Sequence, residues 1–124
     1  MNGTKIVLDT NIILYLLDGN KELAVILNEI EIYVSIITEI ELLGYQGISD
    51  LEKSKVKLFL SECQIIPLNV EIKNICVEFK QNHKIKTPDA IVAATSRYLS
   101  IPLFTADKGF NKLPNLDAII YNYY

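Results

Sequence analysis

Thr4-Lys5-Ile6-Val7-Leu8-Asp9-Thr10-Asn11 is the stretch that decides the fold. Ile6, Val7 and Leu8 run together without polar alternation, which predicts a strand buried on both faces, as in a parallel sheet. An acid ends the run abruptly, and a helical pattern over residues 12–17 follows it. A carboxylate in that position is poorly solvated unless something compensates it. Asp9 is therefore either a helix-capping acid or the first wall of an active site, because ligands in open α/β sheets gather outside the carboxyl ends of the strands.

Outward from this stretch, short strands alternate with helices. Strands are expected at residues 6–8, 32–34, 65–66, 103–105 and 118–120. Helical spacing covers 12–17, 21–30, 35–44, 69–79 and a segment from 49 to about 62. Within 69–79, Val70, Ile72, Ile75, Cys76 and Phe79 are expected to face inward. Ser49 with Glu52 forms a capping-box signature, and Thr87-Pro88 opens a further helix with proline at its first position. The alternation implies βαβ units: an α/β fold, a parallel sheet with helices on both faces, in one domain over residues 1–124.

Composition narrows the function. Half of the residues are apolar and mean hydropathy is +0.24, so an exposed apolar patch and a partner or self-interface are expected. No apolar run is long enough to span a bilayer, and no secretory signal is apparent, so a cytoplasmic location is expected. Cys63 and Cys76 read as buried, reduced thiols. Net charge is −3 and the pI about 5.1, the wrong sign for holding nucleic acid by bulk electrostatics. Any nucleic-acid contact must be local or lent by a partner.

Four acids fall where strand ends or helix starts converge: Asp9, Glu41, Asp89 and Asp107. Glu41 shares a helical face with Ile37 and Gly44, and Asp89 shares one with Val92, Ala93 and Ser96, so both are expected to be partly buried. Glu39 lies two residues from Glu41, and one helix cannot point both into one site. Several carboxylates close together in a low dielectric require protons or a cation. An all-oxygen cluster suits Mg²⁺ or Mn²⁺. Zinc does not suit it, since His83 is the only histidine and is expected to be solvated.

The motifs resemble those of a known family. Asp9-Thr10-Asn11 is similar to the opening motif of PIN-domain ribonucleases, especially the VapC-like toxins of toxin–antitoxin pairs. The run from Ser35 through Glu41 to Leu42 resembles their second motif, and Thr87-Pro88-Asp89-Ala90 with the residues to Thr95 resembles their third. Thr105-Ala106-Asp107-Lys108-Gly109-Phe110 is similar to the fourth, with one departure: Gly109 stands where many relatives carry an acid. The fourth carboxylate then comes from Asp107.

The resemblance implies a sheet in the order 3-2-1-4-5 and a metal-dependent endoribonuclease acting on single-stranded RNA. It implies that Asp9, Asp89 and Asp107 hold Mg²⁺ or Mn²⁺, with Glu41 binding a metal or orienting the attacking water, and products bearing a 5′-phosphate and a 3′-hydroxyl. Asn11 and Thr105 are expected to support the site, and Lys84, Lys86, Lys108 and Lys112 to touch RNA phosphates. An antitoxin and a second copy of the chain are the implied protein partners. A haloacid-dehalogenase-type phosphatase needs an acid at residue 11, where Asn11 cannot exchange a proton. A receiver domain needs an acid pair that is not apparent. The remaining alternative is a PIN-like module that binds RNA or protein without cutting.

Overall fold

The opening strand, β1 (Lys5–Leu8), lies at the middle of the sheet, hydrogen-bonded to parallel neighbours on both sides. The computed structural model describes residues 3–122. After β1 come α1 (Thr10–Leu17), α2 (Lys21–Ile26), β2 (Glu31–Ser35), α3 (Ile36–Gly44) and α4 (Asp50–Ser61). Then follow β3 (Gln64–Ile66), α5 (Val70–Asn82), α6 (Thr87–Leu99), β4 (Leu103–Thr105), a 3₁₀ turn at Lys108–Lys112, and β5 (Ala118–Ile120). Among the described residues the strands form one parallel sheet in the order β3-β2-β1-β4-β5. The expected architecture is therefore the observed one.

Both faces of β1 are covered, as its unbroken apolar run requires. Val7 packs with Ile72, Cys76 and Phe79 of α5 and with the alanine-rich face of α6. Ile6 and Leu8 point the other way, into a cluster with Ile12, Ile13, Leu23, Leu42, Val56 and Leu60 from α1 to α4. The chain runs from β1 to β2 on one side and returns through α5 and α6 to β4 on the other. The strand order therefore reverses between β1 and β4, and a crevice opens at their carboxyl ends.

Several local expectations are corrected. α1 begins at Thr10 rather than residue 12, because Asp9 caps it. The helix expected over residues 21–30 stops at Ile26: the following turn takes Glu29 to a φ of 64°, which no helix continues. Val70, expected inward, is the first residue of α5 and is exposed, whereas α5 runs on to Asn82. For α4 the sequence suggests no inward face; the helix buries Val56 and Leu60 and exposes Leu51 and Leu58. The Ser49–Glu52 capping box is present, and Pro88 sits in the first turn of α6. His83 is half-buried at the end of α5 rather than solvated. Cys63 is half-buried and Cys76 buried, both unpaired, and burial pushes the Cys63 thiol up to about 11, so it stays protonated and inert. No helix of the described residues is long and apolar enough to cross a membrane.

Candidate active site

Asp9 is the floor of the crevice. It resolves the two readings of the sequence by being both: its Oδ1 accepts from the Thr10 backbone N–H at 2.8 Å as the cap of α1, and its carboxylate lies at the end of β1, 7% exposed. Its Oδ2 accepts from the Thr105 hydroxyl at 2.6 Å. Thr105 ends β4 next door and is fully buried. The same hydroxyl oxygen accepts from the Asp107 backbone N–H at 3.0 Å. One threonine thus ties two of the acids together.

Each remaining acid arrives on a different element. A helix that leads directly into a parallel strand runs antiparallel to it, so the start of α6 lies at the carboxyl edge of the sheet and brings half-buried Asp89 there. Ala90, Ala93 and Ala94 share a core cluster with Val7 of β1, and their small side chains let α6 lie close to the sheet. α3 follows β2, and its face toward α1 carries buried Thr38 and, one turn on, Glu41. The Glu41 Oε1 accepts from the Thr10 hydroxyl at 2.7 Å, 31 residues away in sequence. Asp107 caps the 3₁₀ turn, accepting at Oδ1 from the Gly109 N–H at 2.8 Å. A Cβ on Gly109 would stand 3.0 Å from that oxygen, so the glycine leaves the carboxylate its room.

The acids act on one another. Burial raises the Asp9 carboxyl above its ordinary 3.8, the Thr105 and Thr10 hydrogen bonds oppose the rise, and the charges of Asp107 and Glu41 add to it. Burial likewise raises Asp89, helped by Asp9, Asp107 and Glu41 and opposed by Lys86. All four acids expected from the sequence therefore occupy one electrostatic neighbourhood. Two differences stand against that agreement. Glu41 is exposed, not partly buried, because Thr38 and Leu42 take the inward face of α3. Moreover, among the described residues no three acidic, histidine or cysteine side chains stand close enough together to hold a metal as they are.

Beside Asp89 and Asp107 opens a cleft of about 260 Å³ walled by Lys84, Lys86, Gly109 and Lys112. Lys108 does not line it, and neither do Asp9 or Glu41. The Lys112 ammonium donates to the Lys84 backbone carbonyl, which joins the 3₁₀ turn to the loop before α6. Asn11, expected in support, is exposed on the first turn of α1. Thr10 and Thr38 carry contacts to which the sequence reading assigned no role. The signal available was a threonine directly after the strand-end acid, facing a Thr–x–x–Glu spacing on the next helix but one.

The PIN domain family model matches residues 6–116 of this chain. Comparison with curated proteins finds no match. Among solved structures, the chain is similar to a toxin–antitoxin complex from Klebsiella pneumoniae, at 28% identity and a TM-score of 0.78, covering 92% of this chain and 95% of that one. VapBC2 from Rickettsia felis, bound to a promoter DNA fragment, shares the fold at 22% identity and a TM-score of 0.82, over 96% and 100% of the two chains. VapC20 from Mycobacterium tuberculosis, a sarcin–ricin loop cleaving toxin, shares it at 16% identity and a TM-score of 0.68, over 86% and 92%.

Proposed function

The chain belongs to the PIN domain family, and on that premise we propose that it is an Mg²⁺- or Mn²⁺-dependent endoribonuclease that hydrolyses phosphodiester bonds of single-stranded RNA, as the toxin of a toxin–antitoxin pair. One observation carries this reading: four carboxylates from four separate segments repel one another at the carboxyl edge of the sheet. Lys86 offsets part of the charge on Asp89, and the rest calls for protons or a cation. The donor set fits a hard divalent ion, being carboxylate oxygen throughout.

Asp9, Asp89 and Asp107 would hold the ion, with Glu41 as a fourth donor or as the residue that orients the attacking water. As they stand no three of these side chains are close enough to share one ion, so binding asks the set to draw together. A bound divalent cation supplies Lewis-acid stabilisation of the phosphoryl oxygens and lowers the pKa of a coordinated water. Thr105 fixes the orientation of Asp9 from behind. Lys84, Lys86 and Lys112 meet backbone phosphates along the cleft and position the strand. Lys108, exposed one residue beyond Asp107, meets the strand outside the cleft.

The neighbouring Klebsiella complex supports an antitoxin as partner. Exposed Leu14, Ile40, Tyr45, Leu51 and Leu58 supply apolar surface for that partner or for a second copy of the chain. Total cellular RNA, incubated with Mg²⁺ with and without chelator, tests the proposal. Wild type is expected to cut only without chelator, and Asp9→Asn not to cut while keeping its circular dichroism. Equal cleavage by the variant removes Asp9 from the mechanism. The separation of the acids as they stand favours one second reading, a non-cleaving module. Mn²⁺ binding without cleavage of any single-stranded RNA would establish that reading instead.

A further inference from the structure

Thr10, like Thr105, touches two of the four acids: its backbone N–H donates to Asp9 and its hydroxyl meets Glu41. That hydroxyl oxygen also lies 3.1 Å from the Thr38 hydroxyl. Thr38 and Glu41 sit three residues apart on α3, so both reach the same point on α1. Proton accounting orders the chain. A threonine has one hydroxyl proton. The shorter contact, 2.7 Å, runs to a charged acceptor, so Thr10 donates to Glu41 and Thr38 must donate to Thr10. Thr38 is fully buried, which fixes the origin of the chain in the core. Glu41 is exposed, and without this tether nothing in the described hydrogen bonds restrains its carboxylate.

We infer that Thr10 and Thr38 are positioning residues: a two-hydroxyl relay that holds one oxygen of Glu41 beside Asp9 and leaves the other to face the divalent cation. The inference rests on the metal-dependent reading above. Successive hydroxyls polarise one another, so the inner donor strengthens the outer one. Groups that orient a metal ligand in this way change affinity by about 10- to 100-fold when removed.

The test is a Mn²⁺ titration of the full chain, followed by the electron paramagnetic resonance of the unbound ion, with no RNA present. Thr10→Val is expected to weaken Mn²⁺ binding about tenfold. Thr38→Val should weaken it less, because Thr10 still donates to Glu41. Thr10→Ser, which restores the hydroxyl, should return the affinity to within about twofold of wild type. Melting curves recorded beside each titration separate loss of fold from loss of orientation, since a merely structural role lowers the melting temperature without moving the affinity of the folded fraction. Asp9→Asn serves as the control. If Asp9→Asn abolishes binding while Thr10→Val binds like wild type, the relay is overturned and the metal site stands. If Asp9→Asn binds like wild type, the metal site itself falls, and the relay with it.

Discussion

Asp9 carries its charge at a cost that the folded chain cannot fully offset. In the unfolded chain it titrates near 3.8; in the folded chain burial and neighbouring acids raise it. Between those two values the native state holds a proton that the unfolded state has lost. Stability therefore falls as pH rises through that window, and the deficit is complete above the raised value. Asp9→Asn is accordingly expected to melt higher than metal-free wild type at pH 7, with the gain shrinking as pH drops toward 3.8. A wild-type-minus-variant difference that does not depend on pH would sink this account. Thr105→Val should act in the opposite sense. It strips a donor from buried Asp9 and an acceptor from the Asp107 N–H, and should cost about 1–3 kcal/mol in urea denaturation. Asp9, Asp89 and Asp107 were legible in the sequence because each stands at a strand end or helix start, and Glu41 because its motif follows the second strand. The hydroxyls of Thr10 and Thr38 were not, since their partners lie on another helix and only the packed fold brings them together.

At the scale of elements, α6 is the tightest fit. Residues from Ala90 to Ser96 on it are all buried, and Ala93 is fully enclosed against the sheet. Ala93→Leu is expected to lower stability by about 1–3 kcal/mol through overpacking, and to displace Asp89 at the start of the same helix. Thermal unfolding checks the first effect and Mn²⁺ affinity the second. Wild-type stability in this variant would mean that α6 stands off the sheet. Element type was readable from apolar spacing throughout, but ends were not. Residues 21–30 carry helical spacing, yet the chain has to turn there to deliver residue 31 beside Thr4, whose carbonyl accepts from the Glu31 N–H. Tertiary pairing overrides local preference at that turn. Likewise Glu41 is displaced from the inward face of α3 by Thr38 and Leu42, a rotation of the helix that spacing alone does not fix.

For the whole molecule, the alternation of strand and helix sufficed to predict a parallel sheet covered on both sides, whereas the strand order came from resemblance in the motifs. Net charge is −3, yet Lys84, Lys86 and Lys112 gather at one cleft, so on the proposed function RNA would be held locally. Three phosphate contacts predict a slope of about −2 for log affinity against log salt. Filter binding with Asp9→Asn, which is expected to retain RNA without cutting it, measures that slope. Lys86→Ala should reduce it by roughly one contact, about 0.7. An unchanged slope would place the strand elsewhere.

The bond between Thr105 and Asp9 spans 96 residues, and β1 finds one of its two neighbours in β4. On a ribosome, the amino-terminal strand therefore waits with one edge bare until nearly all of the chain has emerged. A nascent chain that ends before residue 103 has no strand to close that edge and no hydroxyl to hold the Asp9 carboxylate. On the proposed function, topology delays any nuclease activity during synthesis, and a polypeptide truncated after residue 101 should show neither cooperative melting nor cleavage.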